Sequence, residues 1–238
     1  VAMLGVARKD TDQKRLDHED EYREVFGNVL FGRDGAKSMN HSWSEKDKHF
    51  GMVWNGFMEI TNSFEVLRDI PTYMRRFPAK DLQLSKVKYL QYHISNFLQE
   101  VYILQERLDT YLTKVFRAYQ EDSRYPYLFK QEGLLRRQLV EEFEEINRTR
   151  GAHVHSIRFT DENLERLSLL ELLGTVGGSN LSSMMYKLDI QDVRKEWIKI
   201  MKVNNLIIEV FLDDYFAILH EFVFDDDDNI IIPSAIKN

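Results

Sequence analysis

Between Ser85 and Tyr119 the chain places an apolar residue at every seventh position: Val87, Ile94, Val101, Leu108 and Val115. A second series, Leu90, Phe97, Leu104, Tyr111 and Ala118, follows three residues behind the first. A strand alternates its faces every two residues and cannot keep such a period, whereas a helix under heptad patterning does. The spacing predicts one helix of roughly nine turns. Glu100, Glu106, Arg107, Lys114 and Arg117 flank the seam and predict a charged outer surface. A helix this long with one apolar seam must bury it against other helices. The expected fold is therefore all-α, an up-and-down helical bundle.

The neighbouring segments supply the partners. Ser44 reads as an N-cap, with Glu45 and Asp47 in the first turn, where the helix dipole favours acids. Phe50, Val53, Trp54, Phe57, Ile60, Phe64 and Leu67 then form one helical stripe, and Pro71 and Pro78 bound its continuation. After a connection at Ser123–Tyr127, a further helix carries Leu135, Leu139, Phe143 and Ile146, and Gly151 is placed to end it. Thr160 is the expected cap of a helix through Leu164, Leu167, Leu170 and Leu173, with a loop at Gly174–Ser179. One or two last helices run from about Ser182 to Phe222, with Trp197, Ile200, Leu206, Phe211, Tyr215 and Leu219. Residues 1–80 form an N-terminal helical extension packing on the core, 81–224 the bundle, and 225–238 an acidic tail. Within the extension, Asp10–Glu24 has the composition of a charged helix and Gly32–Gly35 that of a loop. The run Asp225–Asp228 lacks the spaced ligands and glycine of a calcium loop, so it reads as solvated. Ile230–Ile232 fits a short strand or a docking segment.

Composition narrows the function. The 238 residues include no cysteine, which excludes disulfides, thiol catalysis and cysteine-ligated zinc. A net charge of −7 argues against a broad basic face for duplex DNA, although a local basic site remains compatible with it. Leu206–Phe222 is apolar but carries Glu209, Asp213, Asp214, His220 and Glu221, too many ionisable groups for a bilayer core, so a buried helix is expected. The apolar run Ala2–Val6 is too short for a secretory leader, and a cytoplasmic, non-membrane protein is the expectation.

The chemistry-bearing segment is Ile146–His155, where Arg148, Arg150, His153 and His155 fall within eight residues. Histidine exchanges protons near neutral pH, and arginine offers a fixed, permanently charged fork to phosphate oxygens. RNA brings its own nucleophile in the 2′-hydroxyl, so its cleavage needs only a proton shuttle and a stabiliser for charge developing on phosphorus. Positions five apart on an unbroken helix lie about 140° apart around the axis, and a stop at Gly151 is expected to bring His155 back beside Arg150. Three other readings stand beside this one. The arginines can cap the helix end and pair with Glu144 or Glu145, the histidines can be plain surface residues, and His153-x-His155 can hold a metal.

The long helix followed by an Arg-x4-His turn resembles the HEPN superfamily, small helical bundles with an arginine, four to six residues, then a histidine at the end of a core helix. Arg148–His153, Arg150–His155 and Arg148–His155 all meet that spacing. The run Tyr89-Leu90-Gln91-Tyr92-His93, Asn96-Phe97-Leu98 and Tyr102–Leu108, followed by Arg150-Gly151-Ala152-His153-Val154-His155, is similar to a bacterial HEPN subfamily with an Arg-Gly-x-His-Val-His signature. The resemblance spans about Ser85–Leu173. It implies a metal-independent endoribonuclease without a cofactor, acting on single-stranded RNA in toxin–antitoxin or phage defence. It also implies a homodimer with a composite cleft, and an antitoxin or defence-system partner. Arg150 is the implied phosphate stabiliser and His155 the proton-transfer residue, with Arg148 and His153 beside them or as the pair itself. The alternative is a non-catalytic HEPN-like dimer that binds RNA, a nucleotide or a partner protein. Glu100, Glu106, Arg107, Tyr92 and Tyr102 are further candidates for lining a cleft, whereas His93, beside the seam, reads as a packed histidine.

Overall fold

The computed structural model describes residues 44–77, 84–155, 162–175, 180–227, 229–234 and 236. Side chains are described in these ranges except those of 128–129, 145–155, 174–175 and 180–182. The expectations for Asp10–Glu24, Gly32–Gly35, Pro78, Thr160, Asp161, Asp228 and the loop after Thr175 lie outside the described residues.

Five helices are present: α1 (Glu45–Tyr73), α2 (Lys86–Tyr119), α3 (Leu128–His155), α4 (Glu162–Thr175) and α5 (Asn180–Val223). Among the described residues there is no strand, only an isolated antiparallel bridge between Phe224 and Ile230. The all-α expectation is met. Ser44 caps α1 through a capping box, its hydroxyl accepting from the Asp47 amide at 3.1 Å while Asp47 accepts from the Ser44 amide, also at 3.1 Å. Pro71 sits in the last turn of α1, buried, and the helix ends two residues later.

The α2 seam is buried as its heptads predict. Nine of its ten positions are 2% exposed or less, and Ala118 at the helix end is partly buried. α1 runs antiparallel to α2, pairing His49 with Tyr119 at one end and Tyr73 with His93 at the other. α5 runs parallel to α2: the Tyr215 hydroxyl donates to the Leu108 carbonyl at 2.8 Å, and Phe222 packs on Phe116 further along. α3 doubles back from the end of α2, burying Leu135, Leu139 and Phe143, the last against Phe211 of α5. The core is thus one continuous apolar cluster shared by α1, α2, α3 and α5, with Leu164 and Leu167 of α4 completing it.

Two polar devices fix the ends of α2. At its start the Ser85 hydroxyl accepts from the Lys88 amide, while the Glu171 carboxylate of α4 receives the Lys86 amide and the Tyr186 hydroxyl of α5. A carboxylate at a helix N-terminus satisfies free amides and favours the dipole, and here it ties α4 and α5 to α2. At the far end the chain after α5 folds back. The Asp225 carboxylate accepts from the Asp227 and Asn229 amides at 3.0 and 2.9 Å, closing a tight turn. The acidic run read as solvated therefore begins with a structural aspartate. Ile230–Ile232 is the docking segment: Tyr119 donates to the Ile231 carbonyl at 2.7 Å and Arg124 to the Ile232 carbonyl at 3.0 Å.

The last helix is one element of 44 residues, and it departs from expectation on one face. Phe211, Tyr215 and Leu219 are buried, but Ile200 and Leu206 are exposed, with Val203, Ile207 and Val210 beside them. Leu173 of α4 is exposed as well.

Candidate functional site

α3 carries all four residues of the Arg/His cluster, and its course corrects one expectation. The helix does not stop at Gly151. It continues through Gly151-Ala152-His153-Val154 to His155. A glycine inside a helix costs about 1 kcal/mol relative to alanine, and it ends a helix only where the chain is captured in the left-handed conformation. Gly133 lies within the same helix, so α3 accommodates two glycines.

The continued helix re-sorts the four positions. Arg150 and His155 lie about 140° apart around the axis, as do Arg148 and His153. Positions 148 and 155, seven apart, differ by only about 20° and are separated by about 10.5 Å along the axis. Positions 150 and 153 are about 60° apart, on the side away from 148. The helix therefore holds two Arg/His position pairs on opposite faces: 148 with 155, and 150 with 153.

The other residues singled out from the sequence fall elsewhere. Tyr102, Glu106 and Arg107 line a cleft of about 770 Å³ between α1 and α2, opposite Gly51, Asn55 and Gly56. Gly56 exists there because α2 comes close: a Cβ at this position would stand 2.2 Å from the Tyr111 ring. Arg107 bridges the cleft, donating to the Glu59 carbonyl at 3.2 Å and to the Ser63 hydroxyl, with the Glu59 carboxylate 3.2 Å away. It is thereby committed to holding α1 against α2. The Tyr111 hydroxyl is buried with no hydrogen-bond partner among the described residues, and burial pushes its pKa well above 10. The glycine inside the α1 apolar stripe was the sequence signal for this close approach. Glu100 is half-buried and outside the cleft lining. Tyr92 is exposed, its ring edge-on to His93. His93 is packed as expected, among Tyr73, Tyr89 and Tyr92, and burial lowers its pKa.

A second polar cluster sits where α1, α2 and the C-terminal segment meet. His49 Nε2 lies 3.0 Å from the Tyr119 hydroxyl. The Tyr119 hydroxyl proton goes to Ile231, so Nε2 is the donor and the tyrosine oxygen the acceptor. Burial lowers the His49 pKa below its ordinary 6.5, which favours the neutral ring. Nearby, Asp122 is 5% exposed and accepts from the Arg124 guanidinium at 2.8 Å and from the Ser234 amide at 3.0 Å. The Arg124 hydrogen bonds hold the Asp122 carboxyl well below the usual carboxylate range. Every group in this cluster is engaged in anchoring the C-terminal segment, which makes it structural.

Among the described residues no group of three or more His, Cys, Asp or Glu is placed to hold a metal ion, and no helix is long and apolar enough to cross a membrane. No protein-family model matches the chain, and neither a curated protein nor a solved structure matches it.

Proposed function

We propose that this chain is a metal-independent endoribonuclease of the HEPN type, cutting single-stranded RNA with the Arg/His positions at the C-terminal end of α3. The observation that carries the reading is the register of that helix. Positions 148 and 155 share a face about two turns apart, and the Arg148-x6-His155 spacing is one the HEPN motif allows. A long arginine side chain and an imidazole at that separation can converge on one phosphate between them. Arg148 is the phosphate stabiliser in this reading, in place of Arg150, and His155 the proton-transfer residue.

The chemistry balances without a cofactor. His155 takes the proton of the ribose 2′-hydroxyl as its oxygen attacks the adjacent phosphorus. The arginine offsets the negative charge that gathers on the non-bridging oxygens. The bond from phosphorus to the 5′-oxygen breaks, and that oxygen leaves with a proton. The products are a 2′,3′-cyclic phosphate and a 5′-hydroxyl. RNA is the substrate, and the resemblance adds a homodimer and an antitoxin or defence-system partner to the proposal.

Purified protein incubated with single-stranded RNA and excess chelator is the test. Cleavage to cyclic-phosphate ends is expected, and His155→Ala should lower it by about 100-fold or more while the helical spectrum is retained. Cleavage that requires an added divalent ion would overturn the metal-free mechanism. RNA binding with no cleavage would identify the non-catalytic alternative.

A further inference from the structure

α5 is 44 residues long and shows solvent one continuous stripe. Along it, exposure recurs every three or four residues, at Met185, Leu188, Asp192, Glu196, Lys199, Val203, Leu206 and Val210. The stripe has two apolar blocks. Met184, Met185 and Leu188 form the first, and Leu206, Ile207 and Val210 the second, each residue 48–63% exposed. Between the blocks lies a charged middle in which Asp192 and Glu196 precede Lys199 and Lys202. Monomeric proteins seldom leave large contiguous apolar surfaces in water, and this one alternates with charge in a fixed order.

That order is self-complementary in one arrangement only. We propose that the outer face of α5 is a homodimer seam in which two copies of this helix pack antiparallel across a two-fold axis between Ile198 and Trp197. Residue numbers facing each other then sum to about 395. The first apolar block of one copy covers the second block of its partner, with Leu188 near Ile207 and Met185 near Val210. At the centre, Glu196 meets Lys199 twice, once from each side of the axis, and Asp192 lies beside Lys202. A parallel pair would instead set Lys199 against Lys199 and leave the acids without opposite charges. The seam from Met184 to Val210 is about 39 Å long, enough for a continuous helix pair. A groove of about 360 Å³ beside the second block, between α3 and α5, is lined by Gln138, Glu142, Leu206, Ile207 and Val210 among others, and can receive side chains from the other copy. A two-fold contact of this sort is isologous, each patch meeting the other's counterpart.

The seam rests on α5 alone and not on the ribonuclease reading, and its test reads mass and cross-links instead of RNA cleavage. The absence of cysteine makes that test clean. The full chain is measured by sedimentation equilibrium over a range of concentrations, alongside Glu196→Lys and the double variant Glu196→Lys/Lys199→Glu. Wild type should be dimeric, the single variant should dissociate at least about 10-fold more readily, and the double variant should regain dimerisation because opposite charges again face each other. For the register, Leu188→Cys and Ile207→Cys proteins are mixed under oxidising conditions. Disulfide between the two variants, with little within either alone, is the expected pattern. A wild-type chain that stays monomeric at high concentration, an unaffected Glu196→Lys dimer, or Leu188→Cys cross-linking mainly to itself would each overturn the proposal.

Discussion

α2 and α5 lie side by side in the core, yet they treat the outside of the molecule differently. α2 buries one apolar seam and turns Glu106, Lys114 and Arg117 outward. α5 buries Met201, Ile208, Leu212, Tyr215 and Leu219 on one face and carries Leu206, Ile207 and Val210 on another. One helix is finished as it stands. The other has more apolar surface than its own bundle covers. The contrast shows that apolar content alone does not locate the core: α2 separates inside from outside by a single period, while α5 overlays two apolar faces on one helix.

Equal truncations on the two helices should break the symmetry most strongly. Leu104→Ala, at a position with no exposure, is expected to cost about 2–5 kcal/mol, whereas Leu206→Ala in dilute protein should cost no more than about 0.5 kcal/mol. Urea unfolding followed by far-UV circular dichroism measures both, and similar costs would mean that Leu206 belongs to the core. Next in size is the α1–α2 contact. Gly56→Ala drives a Cβ into the Tyr111 ring and should cost about 1–3 kcal/mol. Gly133→Ala meets nothing within 4 Å and should be neutral or stabilise by up to about 1 kcal/mol, readable in the same unfolding experiment.

The far end of α2 adds smaller effects. Asp122→Ala removes the acceptor of Arg124 and Ser234 and should cost about 1–3 kcal/mol. Faster amide exchange at Ile231, whose N–H donates to the Val223 carbonyl, would report loosening of the C-terminal segment. Acid should act on the same place in two windows. The His49 pKa is lowered in the folded state, so below about 6.5 the unfolded chain binds the extra proton and stability declines. The Asp122 pKa is also lowered, so its contribution is complete above about 3.8 and is lost as pH falls further. Thermal unfolding between pH 7 and 5 should therefore show a downward slope that His49→Gln reduces.

What the sequence disclosed follows the same divide. The α2 heptads, the Ser44 and Ser85 caps and the inward stripe of α1 were legible because each rests on local period or local capping chemistry. The outer face of α5 was not, because an exposed leucine and a buried one are the same letter at the same helical spacing. Asp225 and Ile230–Ile232 took their roles from contacts more than 100 residues away, on Tyr119 and Arg124, which no local window contains. Gly151 was misread for a related reason. Glycine ends a helix only when its surroundings hold the reversed backbone, and α3 runs four residues past it. The four Arg/His positions were visible in the sequence, but their sorting into faces depends on that continuation.

The most direct test is therefore a comparison of Arg148→Ala with Arg150→Ala in the chelator-resistant RNA cleavage assay. The helix register predicts that Arg148→Ala lowers cleavage by about 100-fold or more, the scale of losing a donor to developing oxyanion charge, while Arg150→Ala has a much smaller effect. Arg150→Ala abolishing cleavage while Arg148→Ala remains active would contradict the pairing of positions 148 and 155, and so would full activity in both variants.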